Sequence, residues 1–375
     1  MRTTASYDLF PDAPSERVMA RARWLAREGR VDDAEHAYRE LIKTHPDLKP
    51  VWAECFELLR THGRAADALK LADAARGHFG DAAFTFTLRG AALIELGRLR
   101  EALSALEQAI EHDPDLGAAW HELGLAAYRL GDRSRALLAL DRAFALEPHT
   151  ETLKLRGKVL RDAGRYAAAE VSFDGAAQAA EHAEQREEAE REILTTRRYA
   201  FYSPRRPHEL NPAERWFADT GTVVLTPDTG PVPPSDETLV QAFVELAVDR
   251  GWRFGQVAVA GPTLPVWTGL AEALDAPLVG KAGLDPDTCP LVVAPRPLPA
   301  DAGWQAMTAA VANTNQGLVF VLEHPAEPAQ TAAADVIGVL TDNGERRRRM
   351  PNAAHAMSEA QHPVARCAGR RLQPA

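Results

Sequence analysis

Lys154, Lys158 and Arg161 are spaced i, i+4, i+7, so on a helix they bring three cations to one face. Such a face can hold a carboxylate or an acidic segment of another molecule. It can equally be solvated, or pair with the Glu- and Arg-rich stretch from His182 to Tyr199. Few other residues are arranged for chemistry. Glu323 and His324 follow the apolar run Leu318 to Leu322, at the end of a strand where α/β sites form; an acid beside a histidine on a loop is more often a pair of solvated groups. The loop Gly261-Pro262-Thr263-Leu264-Pro265 leads from a strand into a helix and could offer backbone N–H groups to a phosphate. Pro262 and Pro265 remove two of those donors, and no GxGxxG or GxxxxGK[ST] is present, which favours a plain connection.

Other chemistries lack their residues. No Ser or Cys stands in a nucleophile turn, and the 12 histidines include no His-x3-His pair. Cys55, Cys289 and Cys367 are far apart without a CxxC, which points to a reducing compartment and away from disulfides or zinc. No cofactor and no metal is expected. Trp216, Trp252, Trp267 and Trp304 are expected to serve cores or domain contacts.

The elements that must position these residues begin with a repeat. From Ala83 to Pro148 one helical hairpin is written twice, 34 residues apart. Phe86, Gly90, Gly97, Ala102, Ala109 and Pro114 return as Trp120, Gly124, Gly131, Ala136, Ala143 and Pro148. The aromatic anchors a first helix, Gly124 lets a second helix approach, and Gly131 makes the turn. Ala136 and Ala143 keep the second helix small, and Pro148 ends the unit. The register extends in both directions. Gly29, Gly63, Gly97 and Gly131 are 34 apart, with Gly164 following at 33, and Ala34, Ala68, Ala102, Ala136 and Ala169 accompany them. Five repeats therefore span Ser15 to about Glu181. The end repeats drift, as units with one solvated face do, and His182 to Tyr199 reads as the polar helix that caps such a stack.

This order of aromatic, small residue, glycine turn, alanines and proline resembles the tetratricopeptide repeat (TPR) family. The resemblance implies a superhelix whose inner face, lined by the first helix of each pair, receives a partner's peptide. Carried over position by position, that face is Phe84, Thr87, Ala91 and Ile94 from the third repeat and His121, Leu125, Tyr128 and Arg129 from the fourth. The fifth repeat adds Lys154, Lys158 and Arg161. An apolar floor runs into a basic end, which suits a protein partner with an acidic and apolar segment. The paired asparagines of the family's carboxylate clamp are not reproduced.

Composition changes near residue 200, where Pro204, Pro207 and Pro212 interrupt any helix. Beyond it, Thr222–Leu225, Gln256–Ala260, Leu291–Ala294 and Leu318–Leu322 read as strands. Helices are expected over Glu237–Arg250 (capped by Ser235 or Asp236), Leu264–Leu274, Trp304–Ala312 and Gln330–Leu340. The alternation predicts a smaller α/β domain with a mostly parallel sheet. Val257 to Val279 is somewhat similar to the opening of phosphoribosyltransferases. The strand Leu291–Ala294 would then end in an acidic pair and a Thr-Gly turn, but continues Pro295-Arg296-Pro297. The resemblance thus implies a phosphoribosyltransferase-like, Rossmann-like fold without its catalytic motif. The expected organisation is a flexible leader (1–14), a TPR solenoid of about five repeats with a capping helix (15–199), a Pro-rich linker with the α/β domain (200–342), and a disordered Arg-rich tail (343–375).

A chain of 375 residues with 46% hydrophobic and 26% charged residues can build such cores. Its net charge of -10 argues against a general nucleic-acid binder. No signal-peptide core or membrane-length apolar run is present, so a cytoplasmic location is expected, with neither nucleic acid nor membrane as partner. The expected function is a protein–protein interaction scaffold or adaptor. The alternative is a nucleotide- or phosphoribosyl-binding protein, or an enzyme, acting through the α/β domain.

Overall fold

The structure, a computed structural model, describes residues 13–225, 233–314, 317–325, 334–342 and 345–346. Its first part is five helical pairs: α1 (Ala13–Arg27) with α2 (Val31–Thr44), α3 (Lys49–Thr61) with α4 (Ala65–Phe79), α5 (Ala83–Glu95) with α6 (Leu99–His112), α7 (Gly117–Arg129) with α8 (Arg133–Leu146), and α9 (Thr150–Asp162) with α10 (Tyr166–Gln178). The helix α11 (Ala183–Phe201) follows.

The repeated residues act as their types require. The turn glycine adopts positive φ in every pair, from 71° to 84°, a region that costs side-chain-bearing residues strain. Inside the fourth pair, a Cβ built on Gly124 would lie 2.7 Å from Leu140 Cγ. The absent side chain is therefore what lets α7 and α8 close. Gly90 meets Leu106, and Gly157 meets Phe173, in the same way. Ala102, Ala109, Ala136 and Ala143 are all buried. The indole N–H groups of Trp52 and Trp120 each donate to a proline carbonyl six residues earlier, Pro46 and Pro114, at 2.8 Å. The aromatic thus ties the start of its repeat to the end of the preceding one.

The chain divides into two compact units. One holds the described residues through Leu160 together with Ser172–Arg186; the other holds Arg161–Val171 and the described residues from Glu187 onward.

In the second unit six parallel strands form one sheet: β1 (Val223–Val224), β2 (Gln256–Val259), β3 (Leu278–Gly280), β4 (Pro290–Ala294), β5 (Leu318–Pro325) and β6 (Val336–Asp342). Their order is β1-β6-β5-β4-β2-β3, and a short β7 (Glu345–Arg346) pairs antiparallel with β6. Side chains alternate between two cores, as strand geometry demands. Val257, Val259, Leu291, Val293 and Phe320 face α13 (Asp236–Asp249) and α14 (Pro265–Ala273). Ala258, Val292, Val319, Val321 and Ile337 share the other core with Trp304, Met307 and Val311 of α15 (Ala302–Thr314). Both faces of the sheet are covered, which is what an all-parallel sheet needs. Ser235 caps α13, its hydroxyl accepting from the Thr238 N–H at 3.2 Å.

Of the helix expected over Gln330–Leu340, residues 330–333 lie outside the described residues and the rest is not helical. Val336–Asp342 is instead the strand β6, inserted between β5 and β1. Residues 1–12 of the leader and the tail from 347 lie outside the described residues.

Candidate protein-binding site

The first helices of the second, third and fourth repeats lie side by side, α5 packing against both α3 and α7. The expected site residues do not all reach an open surface there. Thr87, Leu125 and Tyr128 are part-exposed, the Thr87 hydroxyl donating to the Ala83 carbonyl at 2.8 Å. Phe84 is part-exposed too, but meets Phe79 edge-on at 5.7 Å, with the Lys49 ammonium 5.8 Å from the centre of each ring. Ala91 and Ile94 are only 4% and 1% exposed: they serve the stacking of the repeats, not a free wall. Arg129 is exposed, and its guanidinium donates to the Ile94 carbonyl at 3.2 Å. His121 shares a hydrogen bond with the Thr152 hydroxyl at 3.0 Å, and burial pushes its pKa down to about 4.

The basic end is also not an open anion site. Lys154 is 5% exposed and its ammonium lies 2.7 Å from Glu151. Arg161 pairs with Glu192 of α11 and stacks over the Tyr199 ring at 5.6 Å. Lys158 is part-buried. Of the readings open for this stripe, pairing with the acidic capping helix is the one Arg161 adopts. A lone buried ammonium would be costly, so a neighbouring carboxylate is what lets Lys154 sit inside.

What the helices do gather is a charged network. On α3, Arg60 makes a two-pronged contact with Glu57 at 2.9 and 3.0 Å. The same guanidinium stands 3.6 Å from Glu95 of α5 and 4.0 Å from Glu122 of α7, so it steps across the intervening repeat. Arg129 approaches Glu95 at 3.7 Å. The Glu122 side chain is 14% exposed, and its Oε2 is enclosed without a hydrogen-bond partner among the described residues. Burial pushes the Glu122 pKa up to about 7, against the pull of Arg60. Sequence reasoning missed this cluster, although a signal existed. Glu57 and Arg60 hold, in the second repeat, the register positions of Ala91 and Ile94.

In the second unit the strand order reverses between β2 and β4, where an open α/β sheet places its crevice. Here the two loops meet in apolar contact: a Cβ on Gly261 would lie 3.3 Å from Leu298 and 3.4 Å from Pro295. Glu323 and His324 are not an acid–base pair. The strand β5 runs through both, so they point to opposite faces. Glu323 pairs with Arg296 at 2.6 Å, while buried His324 meets the Trp216 ring edge-on at 5.2 Å. Trp267 and Trp304 are buried core residues.

Five helical pairs with this register, left-handed glycine turns and close glycine crossings form a tetratricopeptide-repeat array, followed by an α/β region with a six-strand parallel sheet. Two family models match within it: one described as TPR repeat over residues 90–131 and one as tetratricopeptide repeat over residues 121–184. Among curated proteins none matches the sequence. The array is similar to TTC0263, a thermophilic TPR protein of Thermus thermophilus, at 20% identity over 48% of this chain and 98% of that one, with a TM-score of 0.43. It is similar to PilF of Pseudomonas aeruginosa at 16% identity over 50% and 88% of the two chains (TM-score 0.39). YrrB, a TPR protein described as having an unusual peptide-binding site, matches at 16% identity over 49% and 98% (TM-score 0.32).

Proposed function

We propose that this protein is a cytoplasmic interaction scaffold whose repeats bind a segment of a partner protein along α3, α5 and α7. Tetratricopeptide repeats are typical of protein–protein interaction, and the chain carries them. The observation that supports the location is the part-exposed set Thr87, Leu125 and Tyr128 beside a charged network that spans three repeats. An apolar residue of the partner, laid on Leu125 and Tyr128, would gain about 25 cal/mol per Å² of surface buried. We place the function in the repeats rather than in nucleotide or phosphoribosyl binding by the α/β unit. At the strand-order reversal the loops close on each other in an apolar contact of Gly261 with Pro295 and Leu298.

The test is selection of peptides from a random displayed library on the intact chain. Selected peptides should compete with one another and bind Tyr128→Ala at least tenfold more weakly. Peptides that bind Tyr128→Ala and Leu125→Ala as tightly as the parent would move the site elsewhere.

A further inference from the structure

The α1 helix is the first helix of its repeat, and among the described residues none stacks ahead of it. In the repeats that follow, the preceding second helix covers that side: α3 packs on α2, α5 on α4 and α7 on α6. The repeat register shows what α1 lacks. Trp24 holds the position of Leu58, Ala92, Ala126 and Val159, which are at most 6% exposed, yet Trp24 itself is 52% exposed. Arg17 holds the position of Val51, Thr85, Ala119 and Thr152, which are all buried, and is exposed. A large aromatic left open at a position that stacking covers in the other repeats marks an interaction surface, where tryptophan is the commonest anchor.

The charges on the same face say what covers it. Arg17, Arg21, Trp24 and Glu28 are spaced i, i+4, i+7, i+11, so they form one stripe along the helix. All four are exposed. The Glu28 N–H still donates to the Trp24 carbonyl at 3.0 Å, which carries the helical turn to the end of the stripe. The nearby Arg23 and Arg30 are engaged within the array, with Glu54 and Asp33. From its N-terminal end the stripe reads cation, cation, aromatic, carboxylate. Laid against itself in the reverse direction, this order is its own complement: Arg17 meets Glu28, and Arg21 meets Trp24. A foreign acidic segment would suit the two arginines and set like charge against Glu28. An antiparallel copy of α1 suits all four residues.

We propose that α1 pairs antiparallel with α1 of a second copy of this chain, in a two-fold symmetric dimer that closes the open end of each repeat array. Arg17 and Glu28 lie about 16 Å apart along a helix rising 1.5 Å per residue. Both copies carry the same interval, so the two ion pairs form together. Each Arg21 guanidinium then lies over the opposite Trp24 ring, a favourable contact for this pair of residues, and the indoles leave water. The ion pairs set direction and register more than they add affinity. The interface uses the same patch from both chains and closes with two, so no filament grows from it. One helix pair lies at the small end of specific interfaces, which places the dimer at micromolar concentrations. The contact uses none of Thr87, Leu125 and Tyr128, and so does not depend on the peptide-binding reading.

The test is the mass of the intact chain by sedimentation equilibrium between about 1 and 100 µM. The parent should pass from monomer to dimer across that range, and Trp24→Ala should weaken the dimer about tenfold or more. Arg17→Glu and Glu28→Arg should each stay monomeric, because each sets like charges against one another on both sides of the axis. An equimolar mixture of these two variants should dimerise again, since both cross-pairs are then of opposite sign. The double variant should do the same alone. The substituted positions are exposed, so the fold should survive, as matching thermal melts would check. A parent that stays monomeric overturns the proposal and gives the face to a different occupant. A dimer that withstands both charge reversals, or that the mixture fails to restore, overturns it as well.

Discussion

His121 and Glu122 are neighbours on α7 whose protons are shifted in opposite directions. Burial lowers the His121 pKa to about 4 and raises that of Glu122 to about 7, because each is held from water in its neutral form. The consequences for stability have opposite signs. Glu122 holds its proton more tightly folded than unfolded. Its contribution is full below the ordinary value near 4.5 and is lost as pH rises through 7. The contribution of His121 is present above 6.5 and is lost as pH falls toward 4. Replacing Glu122 by Gln removes the alkaline loss alone. The stability of Glu122→Gln relative to the parent should therefore rise by about 2–3 kcal/mol between pH 4.5 and pH 8, measured as urea midpoints at the two pH values. A difference that does not change with pH means Glu122 titrates like a solvated acid.

At the scale of elements, the repeats were legible because each hairpin is a local object. A turn glycine, a close-contact glycine and two alanines recur within 34 residues, and their roles survive into the structure. Gly124→Ala should lower stability by about 1–3 kcal/mol by driving a Cβ into Leu140. Gly77, in α4 with ordinary backbone and nothing within 4 Å, should do the reverse, gaining about 0.5–1 kcal/mol as Ala. Denaturant midpoints that move alike for both would sink the assigned register. Legibility failed where partners are distant. Val336, Val339 and Leu340 have the i, i+3, i+4 spacing of a helix, and what makes the segment a strand is pairing with Val223 and Phe320. The entry to β6 is held by Asp335, whose carboxylate accepts the Val319 N–H at 2.9 Å. Asp335→Ala should cost about 1–3 kcal/mol by leaving that donor unpaired, while Asp335→Asn, which can still accept, should stay close to the parent. Equal losses in both would show the carboxylate has another task. The candidate site was only half legible for a related reason. Register names the helix face, but the packing of α5 against α3 and α7 buries Ala91 and Ile94, and the carboxylates on Lys154 and Arg161 take up the basic end.

Charge is the property that belongs to the whole molecule. The chain carries 53 acidic against 43 basic residues, a net charge of -10, so its far field attracts cations. In the proposed complex, that field and the part-exposed Leu125 and Tyr128 would act on a partner at different ranges. At a distance the net charge would steer a basic segment toward the protein, and such steering weakens as the Debye length shrinks from about 14 Å at 0.05 M salt to about 4 Å at 0.5 M. Once such a segment had docked, the part-exposed Leu125 and Tyr128 would hold it through contacts that salt does not screen. Binding kinetics can separate the two. For a lysine-containing peptide from the displayed library, the association rate should fall several-fold between about 0.05 and 0.5 M NaCl, while dissociation changes little. Tyr128→Ala should leave association nearly untouched and speed dissociation at both salt concentrations. Replacing the peptide's lysine by glutamine should flatten the salt response of association. An association rate that rises with salt for the lysine peptide would mean that the face meets its partner as a positive surface. The basic residues of α9 would then have to be available to ligand after all.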